Sequence, residues 1–188
     1  MQLIIIRHAE TVENAQGIIQ GYGRGSLSAR GMQQAADAAQ ALRHETFDVI
    51  FCSDLERCRD TAAYITRYHQ QTPFHLTSQL REMNIGNLSN VPVRIPKIAK
   101  RYGTVFAKLF NLSIFGGESW RGVQTRMANF LNDTFEGYPD TTVLLVTHGV
   151  TMRAIYSVLD REQTKGIDPN DIPNCMIWHV AMDKPVRR

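Results

Sequence analysis

Leu3-Ile4-Ile5-Ile6-Arg7-His8 and Val143-Leu144-Leu145-Val146-Thr147-His148 are the stretches that decide the fold. Each is a short, continuous apolar run that leads through one polar residue into a histidine. The first is rich in β-branched residues, and both suit strands buried on two faces, as in a parallel sheet covered by helices. If the two strands are parallel members of one sheet, both histidines emerge at its C-terminal edge. Open α/β sheets bind ligands at that edge.

Outward from these runs the chain alternates. Gly21, Gly23 and Gly25 mark a turn-rich loop. Ser28 can cap a helix with Met32, Ala35, Ala36, Ala39 and Leu42 on one face. Residues 47–52 read as a second strand that delivers Ser53-Asp54-Leu55-Glu56-Arg57 to the same rim. Leu55, Cys58, Ala62 and Ile65 form a helical stripe, and residues 74–76 suggest another short strand. Residues 84–90 look like a loop, and residues 95–110 have helical spacing interrupted by Gly103. A helix over residues 119–135 rests on Val123, Met127, Phe130 and Leu131. Another runs through Ala154, Ile155 and Val158, and residues 176–180 read as a last strand. The expected fold is a single three-layer α/β/α domain over residues 1–188, with a mostly parallel central sheet. Residues 83–117 would form a lid insertion that carries substrate specificity.

Composition narrows the function classes. Hydrophobic residues make up 43% and charged residues 21%, as in an ordinary globular protein, so extensive disorder is not expected. A net charge of +3 is too mild to argue for a nucleic-acid partner. No apolar run approaches membrane-spanning length, and Met1-Gln2-Leu3-Ile4-Ile5-Ile6 lacks the charged start of a signal peptide. No membrane partner and a cytoplasmic location are therefore expected. Cys52, Cys58 and Cys175 show no CxxC spacing and cannot all pair, which argues against a disulfide framework.

Taken singly, a strand-end histidine is more often structural than catalytic, and Arg7 or Arg57 alone would serve as a surface ion-pair partner. Their convergence on one sheet edge changes the balance. Arginine's planar fork matches phosphate oxygens, and convergent positive charge stabilises a transferring phosphoryl group.

With these residues in view, the sequence resembles the histidine phosphatase superfamily, which includes cofactor-dependent phosphoglycerate mutases, fructose-2,6-bisphosphatases and α-ribazole phosphatases. Arg7-His8-Ala9-Glu10-Thr11, followed by Asn14, is similar to the family's opening signature. Gln20-Gly21 and Leu27-Ser28-Ala29-Arg30-Gly31 follow in order. Ser53-Asp54-Leu55-Glu56-Arg57-Cys58-Arg59-Asp60-Thr61-Ala62, Leu80-Arg81-Glu82, Gly116-Gly117-Glu118-Ser119 and Thr147-His148-Gly149 resemble the later blocks. The resemblance implies that His8 is the nucleophile, forming a nitrogen–phosphorus bond that water later breaks. It implies that Arg7, Arg57 and His148 hold the phosphate oxygens with an amide from Asn14, and that Gln20, Gly21 and Gly149 belong to the phosphate and substrate site. Glu82 would protonate the leaving oxygen. The substrate would be a small phosphate ester, with no cofactor and no metal.

General physics agrees with that division of labour. A covalent route needs a neutral imidazole, which neighbouring cations favour. His148, by contrast, is suited to the positive form when it faces a dianion. Ala9 stands where the family has glycine, so the carbonyl that orients His8 is expected to sit differently. Met83-Asn84-Ile85-Gly86-Asn87-Leu88-Ser89 lacks the Trp-Glu-Gly that often follows the acid, and the longer insertions of the mutases are missing. Hydrolysis is favoured over phosphoglycerate mutase-type transfer.

Arg94, Lys97, Lys100, Arg101 and Lys108 would attract a second anionic group or, more simply, form the solvated face of a helix. Val105, Phe106, Leu109, Phe110, Leu112, Ile114 and Phe115 would pack the lid or, as alternatives, line a partly apolar pocket or make a homodimer contact. A cysteine phosphatase loop fails because Arg57 comes one position too early after Cys52. His8, Glu82 and His148 are not spaced as metal ligands, and no GxxxxGK[ST] segment exists. A non-catalytic phospho-ligand or protein-binding module on the same fold stays open, since function lives in the site.

Overall fold

The computed structural model describes residues 1–89, 116–160 and 162–186. Along the chain these form β1 (Gln2–Arg7), α1 (Val12–Gln16), α2 (Ala29–Leu42), β2 (Val49–Ser53), α3 (Glu56–Thr66) and β3 (Phe74–Thr77), followed by α4 (Trp120–Gly137), β4 (Thr142–Thr147), α5 (Gly149–Val158) and β5 (Ile177–Ala181). The strands make one sheet in the order β3-β2-β4-β1-β5. β1, β2, β3 and β4 are mutually parallel, and only β5 runs antiparallel, on the edge beside β1.

The two apolar runs lie side by side at the centre, with Ile5 opposite Leu145 and Arg7 opposite Thr147. Both are buried on both faces, which is why neither alternates with polar residues. Leu3, Ile5, Val143 and Leu145 face one layer of helices, α4 and α5. Ile4, Ile6, Leu144 and Val146 face the other, α2 and α3. Three layers result. Leu145→Ala is expected to lower unfolding free energy by about 3 kcal/mol, because a fully buried side chain between packed elements leaves a cavity. Urea unfolding followed by circular dichroism measures it, and a loss below about 1 kcal/mol would contradict the packing described.

Caps set the helix starts. The Ser28 and Ser119 hydroxyls accept from the Gly31 and Gly122 amides at 2.9 and 3.0 Å, satisfying donors that the first turn leaves unpaired. The buried face of α2 differs from the expected one. Gly31, Ala35, Ala38, Ala39 and Leu42 are buried, whereas Met32 is 49% exposed. The reason lies at Gly31, where an added Cβ would stand 1.9 Å from the Glu10 carbonyl oxygen. The helix docks through this bare backbone, and that rotation turns Met32 outward.

The expected helix at residues 95–110 and the basic residues 94–108 lie outside the described residues, as does most of the segment expected to form a lid. The loop expected at 84–90 contains a short 3₁₀ turn, Gly86–Leu88. Among the described residues, no helix is long and apolar enough to cross a membrane.

Candidate active site

Because β1, β2 and β4 are parallel and in near register, their C-terminal ends deliver Arg7-His8, Ser53 and Thr147-His148 to one edge of the sheet. The His8 and His148 rings meet edge-on, with centroids 5.1 Å apart. They are 3% and 0% exposed, and Arg57, from the first turn of α3, is 2% exposed.

His8 is oriented by its own neighbour. Its Nδ1 lies 2.7 Å from the Ala9 carbonyl oxygen. A carbonyl only accepts, so Nδ1 carries the proton and the lone pair sits on Nε2. Burial, then the Arg57 and Arg7 charges, push the His8 imidazolium well below the ordinary histidine range, with the Ala9 hydrogen bond opposing them. His8 is a neutral imidazole whose Nε2 has no hydrogen-bond partner among the described residues, the form that a nucleophile requires. With Ala9 in place of glycine the orienting bond is still made. The Ala9 backbone is outside the left-handed region, its N–H donates to Thr61 Oγ1 at 3.0 Å, and the bond to His8 is made at normal length.

The arginines are held by backbone carbonyls. Arg57 donates from Nη1 to Gly23 O at 3.0 Å and from Nη2 to Gly21 O at 2.8 Å. Arg7 donates from Nη1 to Ile172 O at 2.6 Å. The Nε–H of each is buried with no partner among the described residues. A buried unpaired donor costs about 1–3 kcal/mol, so these groups suit an anionic acceptor.

His148 contacts Ser53 Oγ through Nε2 at 2.8 Å, with Cys58 Sγ at 3.3 Å from the same nitrogen. Burial, then Arg57, His8 and Arg7, push it well below the ordinary range as well, so the protein by itself favours the neutral ring rather than the expected cation. A dianion beside it would act in the opposite direction. These shifts bear on stability. Below about pH 6.5 the unfolded chain protonates both histidines while the folded protein does not, so stability falls as pH falls, by up to about 1.4 kcal/mol per pH unit for each. His148→Gln is therefore expected to lose less stability than the unsubstituted protein between about pH 7 and about pH 5. Parallel stability–pH curves from denaturant titrations would count against a neutral buried His148.

Glu82 lies at the N-terminus of α5. Its Oε1 accepts from the amides of Met83 and Thr151 at 3.0 and 3.1 Å and from the Thr151 hydroxyl at 3.3 Å. Its Oε2 accepts from Val150 N at 3.2 Å. The helix end favours an acidic group there, and the charge of Glu82 acts on Arg7, Arg57 and Arg153. Arg126 of α4 braces the preceding segment, donating to the carbonyls of Gln79 and Arg81 while its fork grips Glu118. Glu118 in turn accepts from Asn84 N at 2.9 Å.

Asn14 belongs to the capping box of α1 with Thr11, and its Nδ2 donates to Gln20 Oε1 at 3.2 Å. Gln20 is engaged at both ends, accepting also from Thr11 Oγ1 and donating to Arg24 O. Gly21 supports Arg57 through its carbonyl. A Cβ on Gly149 would lie 3.4 Å from Arg7 Nε and 3.8 Å from Arg153 Nη1, ordinary contact distances that place this backbone beside both arginines. The structure thus groups His8, Arg7, Arg57, His148, Glu82 and Gly149 around one edge, with Asn14 beside them and Gln20 and Gly21 as supports. Sequence reading missed Ser53, Thr151, Arg153 and Asn174 as parts of this constellation. Ser53 begins the block of residues 53–62 and Thr151 lies one helical turn beyond His148, but Asn174 has only a Pro-Asn turn signal. Among the described residues, no group of three or more His, Cys, Asp or Glu could hold a metal ion. All three cysteines are free.

Comparison with known proteins follows the same lines. The family model described as the histidine phosphatase superfamily (branch 1) matches residues 3–186. The chain is 39% identical over 187 residues to an adenosylcobalamin/alpha-ribazole phosphatase of Salmonella typhi, covering 98% of this chain and 87% of the relative. It is 30% identical over 169 residues to a metal-independent phosphoserine phosphatase of Arabidopsis thaliana, covering 88% and 71%. Among solved structures, a mycobacterial glucosyl-3-phosphoglycerate phosphatase superposes with a TM-score of 0.80 at 23% identity, covering 99% of this chain and 95% of that one, which speaks to the fold.

Proposed function

The chain belongs to the histidine phosphatase superfamily and is a phosphoric monoester hydrolase, and we propose that it hydrolyses a small phosphomonoester through a covalent phosphohistidine on His8, with Glu82 as proton donor. The observation that carries this reading is the His8 ring itself. It is neutral, its Nδ1 proton is committed to Ala9 O, and the charges of Arg57 and Arg7, each with a buried Nε–H unpaired among the described residues, act on the ring.

In the first step the Nε2 lone pair attacks phosphorus, the Nε2–P bond forms and the bond to the ester oxygen breaks. The leaving oxygen takes a proton from Glu82, whose carboxylate picks that proton up from solvent as the ester dianion enters beside it, and departs as an alcohol. In the second step water attacks phosphorus and gives one proton to the Glu82 carboxylate. The N–P bond then breaks and its electron pair returns to Nε2. Glu82 Oε1, with three donors on it, is the oxygen the fold holds. Oε2 has a single donor among the described residues, and that is the oxygen assigned the proton. Arg7, Arg57, His148 and the Asn14 amide bind the phosphoryl oxygens throughout.

Relatives named as a phosphoserine phosphatase and as an adenosylcobalamin/alpha-ribazole phosphatase share the phosphoryl group, which is what a pocket of this type handles. A small alcohol phosphate is the substrate class, and the cytoplasm is the expected compartment. Brief mixing with radiolabelled ester followed by a denaturing alkaline quench should leave label on the protein that is lost at acid pH, as for a nitrogen–phosphorus bond, and His8→Ala should retain none. Turnover with no labelled protein at any quench time would sink the covalent route. Phosphoglycerate isomerisation faster than hydrolysis would reassign the chain to mutase-type transfer.

A further inference from the structure

We propose that Asn174 is a positioning residue that fixes which end of the Asn14 amide meets the phosphate, an inference resting on the reading of this pocket as a phosphate site.

The segment before β5 grips the backbone of Arg7-His8. Arg7 N donates to Met176 O at 3.1 Å, and the Cys175 N–H is shared between Arg7 O at 3.2 Å and His8 O at 3.4 Å. Cys175 adopts a left-handed conformation, φ 57°, rare for a residue with a Cβ, so the surroundings impose this turn. Arg7 and Arg153 hold the preceding stretch from the other side, donating to Ile172 O and Pro169 O. Asn174 is therefore presented from a turn anchored on both flanks.

Its side chain spends both amide hydrogens. Nδ2 donates to His8 O at 3.0 Å and to Asn14 Oδ1 at 3.3 Å. The opposite orientation would set Asn174 Oδ1 against two acceptors, so the nitrogen assignment follows from the partners. Asn14 Oδ1 thereby receives two donors, Asn174 Nδ2 and Thr11 N at 3.3 Å. Asn14 Nδ2 gives one hydrogen to Gln20 Oε1 at 3.2 Å, leaving one N–H without a partner among the described residues. A phosphoryl dianion offers acceptors alone, so only the nitrogen end of Asn14 can bind it. Thr11 and Gln20 supply part of this preference. Asn174 adds the contact that joins it to the backbone of the nucleophile, so that the amide and His8 share one frame.

The test measures binding of inorganic phosphate by titration calorimetry to the unsubstituted protein, Asn174→Ala, Asn174→Asp, Asn14→Ala and the double variant Asn14→Ala/Asn174→Ala. Losing an oriented hydrogen bond to an anion predicts about tenfold weaker binding for Asn174→Ala. Asn174→Asp, nearly isosteric but an acceptor toward Asn14, should bind more weakly still. In the Asn14→Ala background, removing Asn174 should weaken binding less than twofold, because the residue it orients is gone. Unchanged affinity in Asn174→Ala with native circular dichroism would overturn the proposal. An equal loss in both backgrounds would overturn it too, assigning Asn174 to general support of the β1 end. Should Asn174→Ala fail to fold, the same comparison with the uncharged Asn174→Ser, alone and combined with Asn14→Ala, decides. Absence of phosphate binding by the unsubstituted protein would instead remove the phosphate site on which this inference rests, an outcome that no Asn174 variant can mimic.

Discussion

Replacing His8 by alanine lowers kcat for p-nitrophenyl phosphate by about four orders of magnitude or more. Every other group around the pocket binds, orients or protonates, and none of them replaces the bond that Nε2 forms to phosphorus. Arg7, Arg57 and His148 remain to bind the phosphoryl group, so inorganic phosphate should still bind in titration calorimetry, which distinguishes loss of chemistry from loss of the pocket. The assay is run in excess EDTA. Activity that survives the chelator and disappears with His8 supports the phosphohistidine route. A His8→Ala protein within about tenfold of the unsubstituted rate would place the nucleophile elsewhere. Activity abolished by EDTA would point to a metal site instead.

Glu82→Gln should lower kcat by about 100-fold to 10,000-fold on an alkyl phosphate, the range that a positioned proton donor supplies. On p-nitrophenyl phosphate the loss of the phosphorylation step should be far smaller, because that phenolate leaves without a proton. The contrast between the two esters is the informative quantity. A substitution that merely disturbed the α5 N-terminus, where Glu82 accepts from Val150 and Thr151, would depress both substrates alike. Equal losses in single-turnover phosphorylation would therefore remove Glu82 from the acid role. Single-turnover conditions matter because water activation in the second step burdens both esters equally.

Much of the architecture was legible along the chain. The runs at residues 3–6 and 143–146 announced central strands because burial on both faces removes alternation. Ser28 and Ser119 marked helix starts because their hydroxyls satisfy orphan amides. The face of α2 was misread at Met32, since hydrophobic periodicity cannot register that Gly31 docks on the Glu10 carbonyl. The candidate site divides the same way. His8, Arg57 and His148 could be found because strand ends and motif blocks are local signals. Asn174 could not, because it reaches His8 and Asn14 across 166 and 160 positions of chain.

By itself, the sequence determined the strand–helix alternation, the three-layer class and the identity of the residues at the strand ends, all of which follow from short-range periodicity and backbone chemistry. Tertiary structure alone decided what those residues are chemically. The parallel register of β1 and β4 brings two imidazoles within 5.1 Å of each other, and burial beside Arg57 and Arg7 makes both neutral. It decided too that Ala9 orients the nucleophile without glycine's freedom, and that Glu82 rests on a helix end belonging to another part of the chain. Desolvation and charge act through space, and a linear pattern carries no record of which distant residues will share it.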